Sequence, residues 1–63
     1  MADLTIENHG SIFLLYPVTA LGRDWVAENV AEDAMRFGDA VAVEHRYIEA
    51  IAIGAINDGL AVA

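Results

Sequence analysis

The stretch over residues 40–59 constrains the fold of this chain most strongly, because it joins an apolar segment to a long apolar helix pattern through a polar corner. Residues 40–43 are small or β-branched, which is typical of a short buried strand. Isoleucine and alanine then recur at helical spacing until Asp58, and Gly59 is the residue type that favours a helix end. The sequence therefore predicts a strand over 40–43 and a helix over about 46–58.

On a helical wheel this last helix has a core stripe and a second face. The predicted core stripe consists of Ile48, Ile51, Ala52 and Ala55. Tyr47 and Ile56 are expected to flank it. Ile53 falls outside the stripe, next to the small residues Ala50 and Gly54. It indicates either a second packing surface or a single exposed isoleucine, which is common in soluble proteins.

The N-terminal third predicts a β-hairpin. Residues 4–6 alternate between apolar and polar, residues 8–10 have turn chemistry, and the segment 11–16 is strongly apolar. Ile12, Leu14 and Tyr16 lie on one face of this strand, and both residues between them are apolar as well. A chain with so few helices has little to cover two apolar faces, so we expect one of them to be a contact surface.

A first helix is predicted from an N-cap at Thr19 to about Val30. Its apolar side is expected to comprise Leu21, Gly22, Trp25, Val26 and Val30. Residues 31–38 are interpreted as a connection with at most one helical turn, with Met35 and Phe37 tucked beneath it. After the last helix, we expect Leu60 to fold back on the final turn, and 60–62 either adds an edge strand or frays.

Together these elements predict a single α+β domain over residues 1–63, built as two layers in the order ββαβα. The expected sheet has three strands and is mixed, with 40–43 parallel to 11–16 through a right-handed crossover, and both helices pack on one face.

Size and composition limit the possible functions. The chain has 63 residues, of which 57% are hydrophobic, and no cysteine, so it lacks disulfides and thiolate metal ligands. Its net charge of −7 disfavours direct binding to nucleic acid, and serves either solubility or recognition of a protein partner with a basic surface. Without an apolar run long enough for a bilayer or a signal-peptide pattern, we expect a cytoplasmic protein that does not contact membranes.

The densest polar cluster is the corner from Glu44 to Tyr47. Such corners often hold active sites, but the sequence supplies neither a partner for a general base nor a pocket, so the corner is interpreted chiefly as a helix start. His9 and His45 with nearby carboxylates show no metal-ligand spacing, and there is no nucleophile elbow or phosphate loop. We therefore expect no catalytic residue, cofactor or metal, and not an enzyme.

The chain resembles a group of short bacterial open reading frames that also occur on phages and plasmids. The resemblance is carried by the pattern SIFLLYP-T, W-AENV, FG-A with VEHRYI, and G with DGL. The matching positions are 11–17, Thr19, Trp25, 27–30, Phe37, Gly38, Ala40, 43–48, Gly54 and 58–60. The resemblance carries no assigned activity. It implies a context in which small acidic proteins often inhibit host defence by occupying a surface, as anti-CRISPR and anti-restriction proteins do.

Two functional hypotheses follow. The first is a non-enzymatic, acidic protein-interaction module, in one version an inhibitor of a bacterial defence or nucleic-acid-handling complex. The second is a structural or regulatory homodimer formed through the exposed sheet face or the Ile53 face. The candidate partner-binding residues are Glu28, Glu32, Asp33, Glu44, Arg46, Tyr47, Glu49, Ile53 and Asn57.

Overall fold

The computed structural model describes residues 1–30 and 34–63 and combines an antiparallel sheet with two helices. The elements in chain order are β1 (Leu4–Asn8), β2 (Ile12–Pro17), α1 (Ala20–Asn29), β3 (Arg36–Phe37), β4 (Ala40–Glu44) and α2 (His45–Asn57). The predicted α+β class is confirmed. The predicted three-stranded mixed sheet in ββαβα order is wrong in detail, because the sheet has four strands in the spatial order β1-β2-β4-β3.

The hairpin of β1 and β2 forms as predicted, whereas β4 runs in the opposite direction to the one expected. β4 is antiparallel to β2, with Phe13 opposite Val43 and Leu15 opposite Val41. The reason lies in β3, which pairs with β4 through a tight turn where Gly38 has a φ of 61°. That turn reverses the chain, so β4 lies between β2 and β3, and no parallel crossover joins β2 to β4.

The core lies between one face of the sheet and both helices. Leu15, Val41 and Val43 point to this face by register and alternation. The buried hydrophobic residues of this cluster are Leu4, Leu15, Trp25, Val26, Val41, Val43, Ile48, Ala55 and Leu60. Full burial of a valine, leucine or isoleucine side chain stabilises a fold by about 1.5–3 kcal/mol. This cluster is therefore the main source of the fold's stability.

Helix α1 begins where the sequence predicts. Thr19 has extended backbone geometry, and its hydroxyl oxygen accepts a hydrogen bond from the backbone N–H of Gly22 at 3.1 Å. The predicted place of Leu21 on the buried side is wrong, because its side chain is 54% exposed. Gly22 faces the sheet instead, against the backbone of Asp3, and this close approach turns Leu21 outward.

The connection before β4 differs from the prediction. Met35 is 64% exposed and Phe37 is 56% exposed, so neither is tucked beneath the chain. Arg36 and Phe37 form the edge strand β3, and an edge strand presents one of its two side chains to each face of the sheet. The prediction for 31–33, including Glu32 and Asp33, lies outside the described residues.

Helix α2 is close to its predicted length, and its predicted core stripe is confirmed, with Ile51 packed against the buried cluster. Ile48 and Ala55 are buried as expected, and Ile53 is exposed as expected. Tyr47 and Ile56 were predicted beside the core but are 51% and 57% exposed. Gly54 was predicted beside Ile53, but it is partly buried and faces the Trp25 ring of α1.

The C-terminal end confirms the predicted helix stop. The backbone N–H of Gly59 donates to the carbonyl of Ile56, and that of Leu60 donates to the carbonyl of Ala55, each at 3.0 Å. These two bonds define a Schellman motif, which the φ of 92° at Gly59 permits. The chain then runs beside β1, where Val62 pairs with Leu4 in parallel, so 60–62 adds to the sheet edge.

Within the part of the chain that the structure describes, no helix is both long and apolar enough to cross a membrane. The longest, α2, has 13 residues, whereas about 20 are needed to span a bilayer.

Candidate functional site

The face of the sheet opposite the helices carries a second group of apolar side chains. Alternation along β2 places Ile12, Leu14 and Tyr16 there, because Phe13 and Leu15 point to the core. Their partners in register on β1 and β4 share that face. We define the open face as Thr5, Glu7, Ile12, Leu14, Tyr16, Phe37, Ala40, Ala42 and Glu44.

Small side chains on β4 lie between larger side chains on the open face. Ala42 lies opposite Leu14, and Ala40 lies opposite Phe37, so β4 contributes only methyl groups between larger neighbours on both sides. Ala40 is completely buried beneath its neighbours, whereas Ala42 is partly exposed. At one end of the face a shallow depression of about 300 Å³ is lined by His9, Ser11, Ile12, Leu14 and Phe37. Its volume is sufficient for one or two large apolar side chains of another molecule.

The strand residues described on the open face include two charges, and both are negative. Glu7 lies opposite Leu14 on β1, and Glu44 lies opposite Ile12 on β4, so one carboxylate stands on each side of the β2 row. Arg36 does not join them, because its register with Val41 places it on the core face. The charged strand residues described on this face are therefore both carboxylates.

Each of these carboxylates contacts a basic side chain at the surface. The His9 ring contacts the Glu7 carboxylate, and Arg46 Nε lies 3.4 Å from Glu44 Oε2. The four side chains are 48–65% exposed. Exposed pairs of this kind contribute at most about 1 kcal/mol, so another cation can replace either partner at little cost.

The polar corner at the start of α2 is the second region that the sequence singled out. Glu44 is the N-cap residue, but its side chain makes no capping hydrogen bond. The guanidinium of Arg46 lies 4.9 Å from the centroid of the Tyr47 ring. Glu44 and Tyr47 also line a mainly apolar cavity of about 440 Å³ with Asn29, Met35 and other residues. Within the described residues, no three histidine or carboxylate side chains are grouped to hold a metal ion.

The structure distributes the predicted partner-binding residues over separate surfaces. Glu28 is exposed on α1, while Glu44 and Tyr47 lie at the corner. An exposed stripe along α2 is formed by Arg46, Glu49, Ile53 and Asn57. Glu32 and Asp33 lie outside the described residues. Of the seven candidates that the structure describes, only Glu44 belongs to the open face.

The open-face residues Glu7, Ile12, Leu14, Tyr16 and Phe37 were missed as site candidates. The signal for Ile12, Leu14 and Tyr16 was present in the two apolar faces of 11–16, which predicted that one face of this strand would contact another molecule. Glu7 and Phe37 lie outside that segment and join the face only through strand pairing. The sequence did not show which face the helices cover, because that depends on where α1 and α2 pack.

One carboxylate has a structural role away from the open face. Asp3 accepts hydrogen bonds from the backbone N–H of Ala61 at 2.9 Å and from the Thr19 hydroxyl at 2.6 Å. These two bonds, the first the stronger influence, hold the pKa of Asp3 below its ordinary value, although desolvation opposes them. The ionised carboxylate thus joins the chain's C-terminal segment to the start of α1.

Comparison of the chain with protein-family models, with curated proteins and with solved structures found no match. The functional assignment therefore rests on the fold and on the chemistry of its surfaces.

Proposed function

We propose that this protein is a non-enzymatic protein-interaction module that binds a partner through the open face. The observation that carries the proposal is the position of Ile12, Leu14 and Tyr16 on a sheet face opposite both helices. Contiguous apolar surface of this kind is characteristic of interaction sites in small soluble proteins.

The chemistry of the open face supports protein binding over catalysis. Tyr16 and Phe37 provide aromatic surface, and aromatic side chains are enriched among the residues that dominate binding energy. The neighbouring side chains are aliphatic or methyl groups, which recognise shape and do not transfer protons. A substrate pocket would instead need convergent polar groups that exclude water around a reacting atom.

A narrower version of the proposal concerns the biological partner. The resemblance to open reading frames on mobile elements and the net charge of −7 support an inhibitor that occupies a basic surface of a bacterial defence or nucleic-acid-handling complex. In this version the protein acts in the cytoplasm and competes with nucleic acid for its partner without binding nucleic acid itself.

Affinity capture from a bacterial lysate with three baits tests the proposal. The baits are the wild-type protein, the double variant Leu14→Thr/Tyr16→Thr, and Ile53→Gln. Threonine retains β propensity while removing apolar surface from the open face, and Ile53→Gln makes a comparable change on the outer side of α2. Circular dichroism verifies that all three baits are folded.

We expect the wild-type and Ile53→Gln baits to retain the same partner and the double variant to lose it. Retention of that partner by the double variant together with loss by Ile53→Gln would instead assign binding to the outer stripe of α2. Equal retention by all three baits would show that neither apolar surface is the binding site.

A homodimer is a second candidate, and the same open face favours it. A two-fold axis over the sheet would bring the Leu14 rows of two copies together, as sheets pack face to face about 10 Å apart in sandwiches. Light scattering over a range of protein concentrations tests this directly. A dimer that dissociates in the Leu14→Thr/Tyr16→Thr variant supports it, and a monomer at all concentrations excludes it.

A further inference from the structure

Two of the three arginines in the chain meet at one small cavity beside β3. The cavity has a volume of about 170 Å³ and is lined by residues of α1 and of the turn between β3 and β4. Arg23 contributes to it from α1, and Arg36 contributes from β3. In a chain with a net charge of −7, these two side chains concentrate positive charge at a single place.

The two guanidinium groups are available to a ligand. Within residues 1–30 and 34–63 neither of them makes an ion pair, because the pairs found there involve His9 and Arg46. Arg23 Nη1 donates one long hydrogen bond, of 3.4 Å, to the carbonyl oxygen of Val18, which leaves most of its N–H donors free for other acceptors. An anion that contacts both guanidinium groups would offset the repulsion between these two like charges.

The size and the walls of the cavity limit its occupant to a small oxyanion. Pockets for drug-sized ligands measure roughly 300–1,000 Å³, so a cavity of about 170 Å³ suits a single anionic group. Val26 is buried and Pro17 is half-buried, which makes one wall apolar and strengthens ion pairs beside it. The planar fork of a guanidinium matches the oxygens of phosphate and carboxylate groups.

Asp39 lines the same cavity and distinguishes between oxyanions. Its carboxylate opposes the entry of a carboxylate or a sulfate, because neither carries a proton at neutral pH that could be donated to it. Hydrogen phosphate retains one protonated oxygen, which donates to a carboxylate while the other oxygens accept from arginine. Two guanidinium groups and one carboxylate are therefore complementary to hydrogen phosphate.

From these observations we propose that Arg23, Arg36 and Asp39 form a binding site for hydrogen phosphate, in which both arginines donate to its unprotonated oxygens and Asp39 accepts from the protonated one. The site does not depend on the open face or on the proposed function. A phosphate monoester loses its last proton at about pH 6, so at neutral pH the site favours inorganic phosphate.

Nuclear magnetic resonance titrations of the labelled protein test the proposal. The probes are sodium phosphate, sodium sulfate and phosphoserine, at neutral pH and with the ionic strength held constant by sodium chloride. The variants are Arg23→Gln, Arg36→Gln and Asp39→Asn. Arg46→Gln is the matched control, because it removes the same charge from an exposed position on α2. Circular dichroism verifies that each variant is folded.

We expect phosphate to cause saturable shifts in the millimolar range at Arg23, Arg36 and the Gly38-Asp39 turn, because the charged groups are exposed. Phosphate should bind at least about fivefold more tightly than sulfate or phosphoserine. Arg23→Gln and Arg36→Gln should each weaken phosphate binding about tenfold, and Arg46→Gln less than about twofold. Asp39→Asn should remove most of the preference for phosphate over sulfate.

Four results would overturn the inference. They are the absence of saturable shifts with phosphate, equal weakening by all three arginine variants, equal binding of phosphate and sulfate by the wild type, and tighter binding of phosphoserine than of phosphate. The comparison of the three anions uses only the wild-type protein, so it decides the chemistry of the ligand even if a variant fails to fold.

Discussion

Two glycines in the helices, Gly22 and Gly54, have opposite roles at the scale of single residues. A methyl group added at Gly22 would lie 2.1 Å from the carbonyl oxygen of Asp3, far inside any permitted contact. A methyl group at Gly54 would lie 3.7 Å from the Trp25 ring, which is an ordinary van der Waals distance. Gly22 is therefore required by the packing of α1 on the hairpin, whereas Gly54 is not required by its surroundings.

The two alanine substitutions are expected to change stability in opposite directions. Gly22→Ala forces α1 away from Asp3, and such overpacking costs about 2 kcal/mol or more. Gly54→Ala is expected to stabilise the protein by about 0.5–1 kcal/mol, because alanine in a helix interior restricts the unfolded chain more than glycine does.

Urea unfolding followed by circular dichroism measures both changes, with each variant serving as the control for the other. A Gly22→Ala protein as stable as wild type would contradict the close approach of α1 to Asp3. A destabilised Gly54→Ala protein would show that Trp25 packs more tightly on α2 than the distance implies.

At the scale of elements, a side-chain hydrogen bond connects α1 to the end of α2. The indole Nε1–H of Trp25 on α1 donates to Oδ2 of Asp58, the C-cap residue of α2, at 2.7 Å. The Trp25 side chain is largely buried, so its N–H has little access to water as an alternative acceptor. This bond holds the end of α2 against α1, on the side where Gly54 faces the Trp25 ring.

Removal of this acceptor is expected to weaken the packing of the helices. Asp58→Ala should lower the free energy of unfolding by about 1–2 kcal/mol, and Asp58→Asn, which retains an oxygen acceptor, should lower it by less. A double-mutant cycle with Trp25→Phe isolates the bond, because the two losses should be less than additive. Strict additivity would show that the two side chains do not interact.

The direction of β4 is also decided at this scale. Residues 40–43 form the buried strand that their composition predicts, but whether it runs parallel or antiparallel to β2 depends on the preceding β3. Gly38-Asp39 between the two strands is a two-residue turn signal, but the two residues of β3 are too few to show the alternation that would identify a strand before it.

At the scale of the whole molecule, Asp3 ties together segments that are distant along the chain. Its carboxylate contacts Ala61 and Thr19, and its carbonyl oxygen accepts a hydrogen bond from the backbone N–H of Val18 at 2.8 Å. The ionised side chain therefore reinforces a junction of the N-terminus, the start of α1 and the C-terminal segment that backbone hydrogen bonds also hold together. In a chain of 63 residues, such a link replaces part of what a disulfide provides in other small domains.

The lowered pKa of Asp3 predicts a pH dependence of stability. Because the pKa is lower in the folded state than in the unfolded state, the ionised carboxylate stabilises the fold above its ordinary pKa of about 3.9. That contribution is lost as the pH falls through the lower, folded-state pKa. Asp3→Asn should therefore be less stable than wild type near neutral pH, and the difference should disappear in strong acid.

Thermal unfolding of wild type and Asp3→Asn over a series of pH values measures this difference. Asp24→Asn removes an equal charge from an exposed position on α1 and corrects for the general effect of net charge. A stability difference between wild type and Asp3→Asn that does not change with pH would contradict the role of the ionised carboxylate.

The sequence by itself determined the features that depend on neighbouring residues. The hairpin of β1 and β2, the Thr19 cap and the stop of α2 at Gly59 formed as predicted, because turn residues, caps and side-chain periodicity act over a few positions. The same local pattern identified two apolar faces on 11–16 and placed Glu44 at the start of α2.

Only the tertiary structure decided the antiparallel direction of β4, the outward position of Leu21 and Ile56, and the face of β2 that the helices cover. Each of these depends on contacts between segments far apart in the chain, such as Gly22 with Asp3 and Trp25 with Asp58. Hydrophobic burial is non-directional, so two equally apolar faces of a strand are equivalent until the rest of the chain packs against one of them.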